Sequence, residues 1–176
     1  MERFRRGDDS AFDRIVERHA VEIAAFANRL LGWPQDVEDV VQDVFVSAFT
    51  GLKTFRGQCR LRTWLFTITV NKCRRHRYRR GFHLREVTMG DEVEPPSAEN
   101  ADTRAMSTET FAQVQQAVRA LPPKYREVVV LRYLEGLATN EICALLGITA
   151  NTMQVRLNRA RRQLKDSLDG LIEEKS

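Results

Sequence analysis

The sequence predicts an all-α protein of two small helical domains joined by a flexible linker, the second domain ending in a helix-turn-helix. Three observations predict it. Apolar residues recur at helical spacing in several separate blocks, and no strand-like alternation of useful length interrupts them. Charge is segregated: residues 1–80 carry 16 Lys or Arg against 10 Asp or Glu (net +6), residues 81–110 carry 2 against 7 (net −5), and residues 111–176 carry 10 against 7 (net +3). Near the end, two short helical patterns meet at Leu146-Gly147-Ile148-Thr149. Boundaries follow from the charge and the periodicity: a first domain over 1–80, an acidic linker over 81–108, a second domain over 109–176.

The first helix is expected from Ser10, where Asp13 three residues on resembles a capping box, to Leu31. Phe12, Ile15, Val16, His19, Ile23, Phe26, Ala27 and Leu30 repeat along it, and Gly32-Trp33-Pro34 stops it. His19 lies on this stripe as a partly buried core histidine, since no ligating partner is spaced beside it. A second helix is expected from Asp36 to Phe49, with Val37, Val40, Val41, Val44, Phe45 and Ala48 inward. Its other face carries Glu38, Asp39, Gln42 and Asp43, and Asp36 sits in the first turn, where negative charge favours the helix dipole. These carboxylates share one face with no facing histidine or carboxylate, so a metal or acid–base site is not indicated. Spacing alone leaves two readings, a solvated surface or a docking face for a basic partner.

After the loop Gly51 to Gly57, a third helix begins at Leu61 and runs into Lys72-Cys-Arg-Arg-His-Arg-Tyr-Arg-Arg80, with a possible kink in the β-branched run Thr67 to Val70. Six Lys or Arg fall between Lys72 and Arg80, a density that repels itself unless spread over water or phosphates. Phe55, Trp64, Phe66 and Tyr78 lie nearby. Singly, Trp64 and Phe66 read as core; beside the basic run, the aromatic group could stack on unpaired bases.

The segment Gly81 to Ser107 loses periodicity and contains Glu94-Pro-Pro-Ser-Ala-Glu-Asn100, which marks the linker. Helical pattern resumes at Thr108, Pro122-Pro123 breaks it, Tyr125 to Leu134 forms the next helix, and Gly136 is its C-cap. In the helix-turn-helix, Gly147 suits the left-handed residue that ends one helix, and Thr149 is the N-cap of the next. Met153, Leu157, Ala160 and Leu164 then face inward. Asn151, Gln154, Val155, Asn158, Arg159 and Arg162 face outward, amide and guanidinium groups of the kind that read base edges in a major groove.

Other classes of protein fit poorly. Cys59, Cys73 and Cys143 are odd in number and lack CxxC spacing, so they read as reduced thiols, neither a disulfide framework nor a zinc site. No apolar run reaches the roughly 20 residues that span a bilayer, and MERFRRGDD is not a signal peptide, so a soluble cytoplasmic protein is expected. No nucleophile with a partner histidine and no phosphate-binding glycine loop suggests an enzyme, and no cofactor is indicated.

Taken together, the chain resembles bacterial RNA polymerase sigma factors of the sigma-70 family, in the two-domain extracytoplasmic-function (ECF) group. In the first half the resemblance rests on Asp36-Val-Glu-Asp-Val-Val-Gln-Asp-Val-Phe45, Phe55-Arg-Gly57, Leu61-Arg-Thr-Trp-Leu65 and Asn71. In the second it rests on Leu121-Pro122, Arg126 to Leu137, and Thr152 to Arg161. It implies a promoter-specificity subunit without enzymatic activity. Asp36, Glu38, Asp39, Gln42 and Asp43 would dock on core RNA polymerase. Phe55, Trp64, Phe66, Asn71 and Arg75 would surround a pocket for the single-stranded minus-10 element, with Lys72, Arg74, Arg77 and Arg79 on phosphates. Asn151, Thr152, Gln154, Val155, Arg156, Asn158, Arg159 and Arg162 would read the duplex minus-35 element. The resemblance also implies an anti-sigma factor as partner, and an acidic linker that threads towards the RNA exit channel.

Two departures from the family pattern stand out. Ala138 replaces the usual Ser or Thr N-cap, at a cost of roughly 1 kcal/mol unless Thr139 substitutes one residue later. Gln154 and Val155 stand where a basic and a small polar residue are common, so the promoter sequence usual for the group should not be assumed. The competing reading is a stand-alone helix-turn-helix regulator with an N-terminal dimerisation or sensing module, which would bind duplex tightly without polymerase and as a symmetric dimer.

Overall fold

The computed structural model describes residues 10–87 and 105–173, which form seven α-helices and, among these residues, no strand. The first three helices, α1 (Ser10–Leu31), α2 (Val37–Leu52) and α3 (Leu61–Val87), pack on one another. Their apolar stripes supply the core: Ile23, Phe26 and Leu30 from α1, Val40, Val44 and Ala48 from α2, Leu65, Phe66 and Val70 from α3, all at most 2% exposed. Phe26 and Phe66 stack with ring centroids 4.2 Å apart, and Phe12 meets Phe49 edge-on at 5.1 Å.

Gly32 ends α1 at φ +87°, as its sequence context predicts, and a 3-10 turn at Pro34–Asp36 starts α2. Asp36 is held by Arg80 at 2.7 Å and His76 at 3.1 Å. Burial pushes its carboxyl up, but hydrogen bonds from His76 and Arg80, and their charges, outweigh burial and hold it below the ordinary value. α3 is a single helix that continues to Val87, seven residues past the boundary expected at 80. Residues 88–104, which contain most of the expected linker, lie outside the described residues.

The second half comprises α4 (Ala105–Ala120), α5 (Pro123–Val129), α6 (Thr139–Leu146) and α7 (Ala150–Glu173). α5 does not stop at Val129 but widens into a π-helical turn, Val130–Leu134, in which the Glu135 N–H donates to the Val130 carbonyl. Gly136 follows at φ +69°. The helix-turn-helix is built as its residues predict. Gly147 has φ +67°, the Ile148 N–H donates to the Cys143 carbonyl, and the Thr152 N–H donates to Thr149 Oγ1 at 3.1 Å. At α6, Ala138 is the N-cap and Thr139 does not replace it. The Glu141 carboxylate instead accepts the Ala138 N–H at 3.0 Å, half of a capping box.

The two halves touch. Buried residues of both form one continuous core cluster, with α6 against α3 and α4 and α5 against α1. Arg126 of α5 is buried and donates to the carbonyls of Leu30 and Leu31 at the end of α1, and to those of Arg119 and Leu121 in its own half. Burial, reinforced by Arg77 and Arg119, pushes its guanidinium down to about 10, which still leaves it charged at neutral pH.

Candidate nucleic-acid and polymerase interfaces

Three surfaces carry the residues singled out in the sequence. The first lies on α3 and the loop before it. Residues 64, 68, 71, 75 and 78 recur at three and four along a helix and so share a face. On it Asn71, Arg75 and Tyr78 are exposed, Tyr78 at 75%, with Arg79 beside them. At the foot of this face an open pocket of about 440 Å³ is lined by Gly51, Thr54, Phe55, Arg56, Gln58, Cys59 and Trp64. Phe55 and Trp64 pack with centroids 4.8 Å apart, and a Cβ on Gly51 would come within 3.1 Å of the indole, so a small residue keeps this wall open. The pocket thus combines aromatic carbon, backbone and one arginine, groups that suit a planar base with a phosphate beside it. The thiol of Cys59 is pushed up, by partial burial first and then by the charge of Glu141, so it stays protonated there.

The second surface is α7. Met153, Leu157 and Ala160 are buried, while Asn151, Gln154, Val155, Asn158, Arg159 and Arg162 are exposed, as their periodicity predicts. Thr152 and Arg156 are half-buried. Gln154 Nε2 donates to Asn158 Oδ1 at 3.0 Å, and Arg159 reaches the Tyr125 hydroxyl at 3.4 Å. The third is the outer face of α2, where Glu38, Asp39, Gln42 and Asp43 are exposed. Val46 stands among them, 60% exposed. Among the described residues no cluster of His, Cys, Asp and Glu is placed to hold a metal ion.

Family models match the chain in this same order, sigma-70 region 2 over residues 15–82 and sigma-70 region 4 over residues 111–164. The RNA polymerase sigma-H factor of Pseudomonas aeruginosa is 30% identical over 99% of this chain and 94% of its own. The chain belongs to the sigma-70 family. Its similarity to the ECF RNA polymerase sigma-E factor of Escherichia coli, 30% identical over 98% of this chain and 94% of that protein, places it in the ECF group. In fold it matches the sigma factor RpoE of Bartonella quintana, solved with the anti-sigma factor NepR, at a TM-score of 0.74 and 24% identity, over 90% of this chain and 97% of that one.

The structure of this sigma factor sorts the expected contacts. Phe66 is fully buried against Phe26, so it cannot offer a face to a base; it is a core residue. Arg77 follows Val70 and Cys73 on the buried side of α3, while Arg74, three residues after Asn71, lies on the flank between that side and the Asn71 face. Both bind the Glu127 carboxylate at 2.7 Å, and that pairing raises Arg74. In this arrangement both reach across to the second half. Phe55 lines the pocket but is only 9% exposed. Asp36 is committed to His76 and Arg80 and Asp43 meets Lys72 at 3.7 Å, so Glu38 and Asp39 are the exposed carboxylates outside these pairs, with the neutral amide of Gln42 beside them.

Two candidates stand outside the residues assigned to a site from the sequence. Tyr78, grouped there with the aromatics beside the basic run, falls on the Asn71 face by helical spacing, a signal already present in the sequence. Val46 is one step out of phase with inward Val44, Phe45 and Ala48, which marks an apolar group left on an acidic surface. Elsewhere, burial pushes the Cys73 thiol up to about 12, with Arg77 opposing and Glu127 adding, so Cys73 is an inert core residue.

Proposed function

We propose that this sigma factor reads its promoter through two open faces of unlike chemistry, Asn71, Arg75, Tyr78 and Arg79 with the Phe55–Trp64 pocket on single-stranded minus-10 DNA, and the outward residues of α7 on the minus-35 duplex. As a promoter-specificity subunit it is no enzyme; it confers start-site choice on core RNA polymerase. The observation that carries the division of labour is the contrast between the faces. The first offers a pocket and stacking surface, the means to hold a base whose unstacking costs a few kcal/mol. The second is a convex helix bearing amides and arginines, shaped for a major groove. On α7, Gln154 and Asn158 suit adenine and Val155 suits a thymine methyl, so these residues set the promoter preference. The acidic face of α2, with exposed Val46 at its centre, serves as the docking surface for core polymerase.

An anti-sigma factor as partner and a cytoplasmic location complete the reading. A relative of the same fold has been solved with such a partner, and among the described residues no helix is long and apolar enough to cross a membrane. The test is reconstitution with core polymerase on a cognate promoter obtained by selection. Arg159→Ala should weaken binding to minus-35 duplex by about five- to a hundredfold, the range for one good base contact. Asn71→Ala should leave that binding within twofold and slow strand opening, read by permanganate reactivity of minus-10 thymines. Equal effects of both changes on duplex binding would sink the assignment, as would failure to bind core polymerase.

A further inference from the structure

We infer that Tyr125 is a positioning residue for duplex reading: its hydroxyl holds the Arg159 guanidinium so that the Nε–Nη2 edge is left to read a guanine of the minus-35 element. On the proposed function, on which this inference rests, the outward arginines of α7 meet that duplex. Of the three assigned to it, Arg156, Arg159 and Arg162, only Arg159 has a side-chain partner among the described residues, and the partner comes from another helix.

Tyr125 lies in the first turn of α5, is only 7% exposed, and contributes its ring to the continuous core cluster. A ring packed in this way sits in one rotamer, so the hydroxyl at its tip is a fixed point. Arg159 Nη1 donates to that oxygen at 3.4 Å. A guanidinium has no acceptor, so the phenol oxygen accepts and its own hydrogen is turned elsewhere. Lys124 adds a second cation, with Nζ 5.1 Å from the centre of the same ring. The hydrogen bond from Arg159, against a smaller effect of burial and with the charges of Lys124 and Arg159, holds the phenol below its ordinary value. Neither cation meets a carboxylate among the described residues, so their charge is left for an anion from outside.

The nitrogen used decides what the arginine still offers. Nη1 lies on the Cδ side of the guanidinium, so bonding through it leaves Nε and Nη2, whose N–H groups run side by side along the opposite edge. Two parallel donors match the O6 and N7 acceptors of guanine in the major groove; adenine, with one acceptor and one donor there, does not match them. An arginine loose in water loses its rotamer freedom on binding, at a cost of roughly two- to tenfold in affinity for one long side chain. Tyr125 removes part of that cost before DNA arrives.

The experiment measures binding of holoenzyme, reconstituted with the full chain, to a minus-35 duplex obtained by selection. Tyr125→Phe keeps the buried ring and loses only the hydroxyl. It should weaken binding about two- to tenfold with far-UV circular dichroism unchanged. In an Arg159→Ala background the same change should have no further effect, a result that loss of packing would not give. Single guanines replaced by 7-deazaguanine, which lacks the N7 acceptor, should reveal one position where the wild type loses binding and Arg159→Ala does not. Wild-type binding by Tyr125→Phe, or the absence of such a guanine, overturns the inference. So does an equal loss in both backgrounds with a salt slope lowered by about one, which would make Tyr125 itself a phosphate contact. If Arg159→Ala alone binds as tightly as wild type, the duplex face of the proposed function fails, and the inference with it.

Discussion

Asp36 shows how a residue's role shifts once its neighbours are known. Its place in the first turn of α2 and in an acidic stretch suggested a docking group, whereas His76 and Arg80, on the far helix α3, claim its carboxylate. No local signal announces such a pairing, because the partners sit on a different helix. The pH consequence follows from the sign of the shift. The folded carboxyl titrates below its ordinary 3.8, so the pairing contributes stability that is fully present above that value and fades as pH falls through the lower, folded value. Asp36→Asn should therefore cost about 1 kcal/mol at pH 7, and the deficit should shrink as the pH drops below 3.8. Urea unfolding of both proteins at several pH values checks this; a deficit independent of pH would show that the carboxylate charge is not what stabilises the turn. Gly32 is a second case. Its left-handed φ was legible as a helix stop, but the Arg126 guanidinium 2.6 Å from where a Cβ would stand was not.

At the scale of elements, periodicity and punctuation carried most of the fold. α1 runs from Ser10 to Leu31 as its stripe and Gly32 predict, and the turn at Gly147 to Thr149 has the caps that its residues imply. The misses share a physical cause. α3 passes Gly81 because a glycine costs a growing helix only about 1 kcal/mol, while each added residue contributes another backbone hydrogen bond. The π-turn after Val129 left no sequence mark, since it depends on how α5 must widen before Gly136. The outward face of α7 was legible because an amphipathic helix displays that face in its spacing. The pairing of Arg74 and Arg77 with Glu127 was not legible, because a dense basic run looks uniform until the fold brings a carboxylate to part of it. α6 supplies the prediction at this scale. With Ala138 as N-cap and only Glu141 returning a hydrogen bond, Ala138→Ser should complete the box and raise stability by about 1 kcal/mol in urea unfolding. Thr139→Ala should be nearly neutral; a loss of similar size there would make Thr139 the true cap.

For the whole molecule, charge segregation announced two domains, but not that they meet. Opposite charges 50 to 106 residues apart in sequence are indistinguishable from solvent-facing ones until the fold brings them together. The core cluster that runs through both halves should make them unfold as one unit in the free protein, with Arg126 as the polar link in that coupling. Its guanidinium satisfies helix-end carbonyls on both sides of the interface, groups that otherwise have no partner within their helices. Arg126→Met keeps much of the side-chain volume and removes every one of these bonds, so the halves should separate energetically. Both tryptophans, Trp33 and Trp64, belong to the first half, so their fluorescence follows that half alone, while far-UV circular dichroism follows both. In wild type the two urea curves should coincide. In Arg126→Met the dichroism should break into two steps, with the fluorescence tracking only one and the midpoints parted by on the order of 0.5 M urea. Coincident curves in the variant would mean that apolar contact, rather than Arg126, joins the domains.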